Sequence, residues 1–148
     1  MNAPDLTKRA PRSPRVRLGG YVILPRMLDK GRAEIAGTQG EFHYNCPLDQ
    51  HFTRFAGIDA DALMAQLKAG KGDGEVLAWI EENGTSKREA WEIQQWSAYQ
   101  DNRGPDGDVD TLQFFIKLVS GASTTRSDVN TWFAMLDLDD HVSYGGQA

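Results

Sequence analysis

EFHYNCPLDQHF, Glu41 to Phe52, is the stretch on which the fold class turns. Phe42 and Tyr44 alternate with polar neighbours, so residues 41–46 suit one short extended segment. Pro47 changes the period. A proline fits the first turn of a helix, where its missing N–H has no partner to lose. Leu48, Phe52, Phe55 and Ala56 then recur at helical spacing, and Gly57 ends the run. The stretch therefore leads into a helix and not onto a sheet.

Working outward, the helical period continues on both sides. Upstream, Leu24, Met27, Leu28, Gly31 and Ile35 predict a helix from about Leu24 to Ile35, with Pro25 in its first turn and Gly37 and Gly40 after its end. Downstream, Asp59 is a natural cap for a helix carrying Ala60, Leu63, Met64 and Leu67. Asp73 is expected to cap the next, with Val76, Trp79 and Ile80 inward. Ser86-x-x-Glu89 reads as a capping box before a longer helix bearing Trp91, Ile93, Trp96 and Tyr99, residues spread far enough around the wheel to predict contact on more than one side. A sixth helix presents Val109, Leu112, Phe115, Ile116 and Val119, and a seventh Val129, Trp132, Phe133 and Leu136. About seven short helices and no sustained strand alternation predict an all-α fold. The expected organisation is an extended basic arm over residues 1–17, a single helical domain over 18–140 and a flexible tail over 141–148.

The chain has 148 residues, a length suited to one domain, and 40% hydrophobic residues with 4 Trp, 6 Phe and 4 Tyr for an aromatic-rich core. No apolar run nears the roughly 18 residues of a membrane span, and no apolar segment follows the basic N-terminus as in a secretory leader. One cysteine forms no internal disulfide, so the cytoplasm is the expected location. The net charge of −5 is uneven. Residues 1–17 hold five basic side chains against Asp5, a balance of +4; the rest carries 11 basic and 20 acidic, a balance of −9. An acidic body repels nucleic acid, so neither nucleic acid nor membrane is an expected partner. The Pro-broken arm reads as solvated, with a clamp on a partner subunit of a homodimer as its functional alternative.

The chemistry-bearing residues gather in the opening stretch, which holds the only cysteine and two of the three histidines. Cys46, preceding Pro47, falls at a helix N-terminus, where the dipole favours a thiolate. His43 is placed to act as its base, and Asp49 to orient a histidine. As a metal site the spacing is poor: structural zinc sites bring two pairs of ligands from separate segments, and the distant His141 is the only other imidazole. No metal and no cofactor is expected. The plain structural alternative makes Cys46 or Asn45 a helix cap, Asp49 a first-turn carboxylate and His51 a solvated residue. PDGDVDT, Pro105 to Thr111, has carboxylates at calcium-loop positions 1, 3 and 5 but Thr111 in place of the glycine and Lys117 in place of the final glutamate, so a helix cap at Asp108 or Asp106 is the better reading. GKGDGE, Gly70 to Glu75, follows a helix and lacks phosphate-loop spacing, so it reads as a turn. LDLDD, Leu136 to Asp140, reads as an acidic helix end.

LPRMLDKGRA, Leu24 to Ala33, the Tyr44–Asp49 run and the LDLDD segment together resemble a family of small bacterial proteins known as a domain of unknown function, numbered 5069. The resemblance spans Asp5 through LDLDD. It implies a single intact domain and carries no site residue with it. It draws attention to Arg26, Asp29, Lys30 and Arg32 on the first helix. Arg26 and Lys30, at i and i+4, form either an anion pocket facing Cys46 and Tyr21 or a solvated face with Arg26 paired to Asp29.

Two functional expectations follow. The first is a non-catalytic protein binding a small molecule or a protein partner, with Tyr21, Arg26, Trp91, Trp96 and Tyr99 as candidate binding residues. The second is a thiol-dependent enzyme using Cys46, with His43 as base, Asp49 in support and Arg26 holding an anionic group. They differ in whether His43 and Arg26 converge on Cys46.

Overall fold

The helical periods become seven helices. The computed structural model describes residues 3–148. In chain order the helices are α1 (Leu24–Ala36), α2 (Pro47–Ala56), α3 (Ala60–Lys68), α4 (Asp73–Asn83), α5 (Ala90–Asn102), α6 (Val109–Ala122) and α7 (Trp132–Ser143). Among the described residues no strand forms, and residues 41–46 are turns and irregular backbone where an extended segment was expected. Among the described residues no helix is long and apolar enough to cross a membrane.

Several boundaries follow from the expected residues. Pro25 and Pro47 occupy the first turns of α1 and α2, and Gly37 and Gly57 close these helices in the left-handed conformation. Asp59 and Asp108 cap α3 and α6 by accepting the N–H of Ala62 and Thr111. Two caps differ. Gly72, not Asp73, precedes α4, because the Glu75 carboxylate reaches back to the Gly72 N–H and the Asp73 carboxylate is engaged elsewhere. Ser86 lies outside α5; the reciprocal residues are Glu89 and Glu92, one turn later.

The main core gathers Val22, Ile23, Leu24, Met27, Leu28, Phe52, Leu63, Leu67, Val76, Ile80 and Phe133. A Cβ at Gly31 would stand 2.5 Å from Leu67 Cδ1 and 3.2 Å from the Tyr44 ring, so any larger residue there must push the Leu67 side chain aside. A smaller cluster of Phe115, Val129, Met135 and Leu138 joins α6 to α7. Helix α5 departs from expectation. Its buried residues are Ser97 and Gln100, Trp96 is half-buried and stacked on Phe55, and Trp91 and Tyr99 are 59% and 63% exposed. Ser97 is buried because its hydroxyl donates to the Gly20 carbonyl and accepts the Val22 N–H, tying α5 to the turn before α1.

The N-terminal arm is not solvated. Pro4, Leu6, Pro11 and Pro14 are buried, and the Leu6 N–H donates to the Thr38 carbonyl. Its cations meet the chain's own acidic body: Arg12 with Asp29 and Asp73, Arg15 with Asp137, and Arg17 with Asp101. The charge split thus closes within one chain. At the other end α7 continues through Ser143, and the Tyr144 hydroxyl donates to the Leu6 carbonyl at 2.6 Å.

A candidate functional site at Cys46 and Lys30

The site begins with a charged helix that is buried. In α1 every residue from Leu24 to Ala33 is buried, including Arg26, Asp29, Lys30 and Arg32. The expected Arg26–Asp29 pair does not form, since each residue has a better partner across the fold. Arg26 donates to Asp140 at 2.7 and 3.2 Å and to the Arg12 carbonyl. Asp29 accepts from the Arg12 guanidinium and backbone, and Arg32 donates to Asp73 at 2.6 Å. LDLDD is accordingly a docking segment: Asp137 takes Ser13 and Arg15, and Asp140 takes Arg26.

Lys30 is the centre of the site. Its side chain is 4% exposed and that of Asp49 is fully buried. Nζ donates to Asp49 Oδ1 at 3.0 Å, lies 2.9 Å from Oδ2, and donates to Cys46 Sγ at 3.1 Å. Burial pushes the Asp49 carboxyl up from its ordinary value, and the ammonium opposes that shift. Cys46 takes its place through local backbone chemistry. Asn45 adopts φ 59, a left-handed conformation that asparagine tolerates, and Cys46 follows as the residue before α2. Its sulfur caps nothing in α2 and meets Lys30 instead.

Beside this group lies a pocket of about 610 Å³. Arg26, Lys30, His43 and Cys46 all line it, so His43 and Arg26 do converge on the cavity that Cys46 faces. Leu6, Phe42, Leu48 and Leu136 supply apolar wall, and Asp139, Ser143 and Tyr144 come from the end of α7. Burial and the neighbouring Asp140 push the Asp139 carboxyl up. The arm and the C-terminal segment, expected to be solvated and flexible, thus form two sides of the cavity.

Other candidates lie elsewhere. Tyr21 is buried in the main core, edge-on to Phe52 and Trp96. Trp91, Trp96 and Tyr99 are outside the pocket lining. His51 is not fully solvated: it contacts buried Gln100 at 3.3 Å, and burial and nearby Arg103 and Arg54 hold its pKa below the usual histidine value. His141 meets the Gln147 carbonyl. Asp49 orients a lysine, not a histidine. Among the described residues no three His, Cys, Asp or Glu side chains are grouped to hold a metal ion. Helical spacing from Arg26 places Lys30 in the expected anion pocket facing Cys46; its direct hydrogen bonds to Cys46 Sγ and to Asp49 are what that spacing does not show.

The model of the family described as a domain of unknown function (DUF5069) matches residues 8–142, and the chain belongs to that family. No curated protein matches the chain.

Proposed function

We propose that this DUF5069 protein binds a small molecule in the pocket beside Lys30 and presents Cys46 to it as a nucleophilic thiol. One observation carries the reading: a buried ammonium bridges Cys46 Sγ at 3.1 Å and Asp49 at 3.0 Å, on the wall of a cavity of about 610 Å³. A cation at hydrogen-bond distance is the surrounding in which a cysteine sulfur reacts as its anion, and the N-terminus of α2 adds its positive end. Asp49 holds the ammonium in place. An ammonium has three N–H groups; Asp49 and Cys46 engage two, leaving one for an occupant. The apolar wall suits a carbon skeleton, and His43 stands on the same wall as a proton carrier. Sγ adds to an unsaturated, electrophilic carbon of the occupant: the S–C bond forms as the carbon's π bond breaks, and the thiol proton goes to the atom that receives the π electrons. A reducing compartment such as the cytoplasm suits the free thiol.

The test is alkylation of the single cysteine by iodoacetamide at neutral pH. The folded protein is expected to react faster than the same chain in denaturant. Lys30→Met combined with Asp49→Asn, which removes both charges together, is expected to slow the folded protein by about an order of magnitude. Labelling only after unfolding, or an unchanged rate in the double variant, overturns the reading.

A partner-binding reading retains one observation, the exposure of Trp91 and Tyr99 on α5. Alanine at either position that leaves stability intact but removes a bound protein would favour it.

A further inference from the structure

Cys46 is the only cysteine of the chain, so within one chain its oxidised sulfur has no second thiol to pair with. A sulfenic acid can also condense with a neighbouring backbone nitrogen. The residue after Cys46 is Pro47, whose nitrogen carries no hydrogen, so that route is closed at the next peptide. The nitrogen in reach is Lys30 Nζ, which donates to Sγ at 3.1 Å from a helix 16 positions back. Asp49 holds it there at 3.0 Å. The Lys30 side chain is almost fully buried, so bulk water competes poorly for sulfur on that side. Cys46 itself is half-buried on the wall of the pocket, where a small oxidant reaches it.

We infer that Cys46 and Lys30 form a peroxide-driven cross-link, an S–N bond between Sγ and Nζ, that turns the pocket's thiol off reversibly. The inference rests on the nucleophilic reading of Cys46 given above. Hydrogen peroxide is the oxidant. The sulfur anion attacks one peroxide oxygen: an S–O bond forms, the O–O bond breaks and hydroxide departs, leaving a sulfenic acid. Sulfur loses two electrons and the peroxide gains them. Lys30 then gives one ammonium proton to Asp49, whose carboxyl burial already pushes up, and the freed lone pair attacks sulfur. The S–N bond forms, the S–O bond breaks, and the departing hydroxide takes a second proton from nitrogen and leaves as water. The third hydrogen stays on nitrogen. Asp49 is left as a neutral acid, so no buried charge loses its counter-ion. An external thiol reverses the link: its sulfur attacks Sγ, the S–N bond breaks, and Nζ takes the incoming thiol's proton. A second thiol then reduces the mixed disulfide.

The measurement is the mass of the full chain after brief treatment with hydrogen peroxide, with tandem mass spectrometry of its tryptic digest. The folded chain is expected to lose about 2 Da, the two hydrogens given up by the link, with the Lys30 peptide joined to the Cys46 peptide. Dithiothreitol is expected to restore the original mass. In urea, where nothing holds Nζ beside Sγ, the Cys46 peptide is expected to gain about 16 or 32 Da, as sulfenic or sulfinic acid. Lys30→Met combined with Asp49→Asn is expected to gain oxygen in the same way while folded, with circular dichroism to establish the fold. A folded natural chain whose Cys46 only gains oxygen overturns the inference. So does a link that forms equally in urea, or one that dithiothreitol leaves intact. Iodoacetamide labelling of the same sample separates this inference from the reading beneath it. Fast labelling without a link overturns the link alone; a sulfur that neither labels nor oxidises in the folded chain overturns both.

Discussion

Helices α1 and α6 invert the usual relation between composition and burial. Helix α1 carries five charged residues, Arg26, Asp29, Lys30, Arg32 and Glu34, in 13 positions, and ten consecutive residues of it are buried. Helix α6 carries two charged residues in 14 positions, and only Phe115 is buried. The difference lies in their neighbours. Each of the four buried charges of α1 meets an opposite charge from another segment: Arg26 with Asp140 of α7, Asp29 with Arg12 of the arm, Lys30 with Asp49 of α2, and Arg32 with Asp73 of α4. Such pairing is the condition under which a charge can leave water. Helix α6 is held mainly on one side, by α7, and among the described residues only Phe115 of it is buried. Burial is thus a property of the surroundings a helix finds, and in this protein the ion pairs tie four segments to one helix.

The strongest test of that contrast is Lys30→Met, which leaves Asp49 buried without a counter-ion. It is expected to lower unfolding free energy by about 3–5 kcal/mol in urea titration. Adding Asp49→Asn is expected to recover most of the loss; no recovery would mean that Lys30 stabilises by packing and not by charge. Within α6, Phe115→Ala is expected to lose about 3 kcal/mol, against about 0.5 kcal/mol or less for Ile116→Gln, where the side chain is exposed. Equal losses would show that the Ile116 side of α6 is covered. Arg12→Ala removes hydrogen bonds to two carboxylates and is expected to lose about 2 kcal/mol, with faster hydrogen exchange of the Leu6 N–H.

Acid sharpens the comparison further. Burial works to raise the Asp73 pKa, but the hydrogen bonds from Arg12 and Arg32 prevail and hold it below the ordinary aspartate value. Its contribution is therefore complete above about pH 4 and is lost as pH falls through the lowered folded value. The arm is expected to loosen in that window, seen as exchange of the Leu6 N–H, and an Asp73→Asn protein is expected to show a weaker dependence. Asp139 has the opposite sign. Its pKa is raised, so stability declines as pH rises from its ordinary value through the folded one. Asp139→Asn is expected to give the smallest change, a slight gain in stability at neutral pH with the pocket intact.

The sequence by itself determined the all-α class, the number of helices and many of their ends, because these depend on neighbours in the chain. Pro47 must sit in a first turn, Asp59 and Asp108 can reach N–H groups three residues on, and Gly37 and Gly57 accept left-handed backbone. It also singled out Cys46, His43 and Arg26, which line one pocket. The tertiary structure alone decided which faces are buried and which side chains meet. Lys30 reaches Cys46 across 16 positions, Arg12 reaches Asp73 across 61 and Arg26 reaches Asp140 across 114. Helical periodicity reports only the face a residue shares with its near neighbours. The charge that neutralises Lys30 and the sulfur that shares its ammonium are supplied by another helix and the residue before it, and their approach is set by the packing of the whole chain.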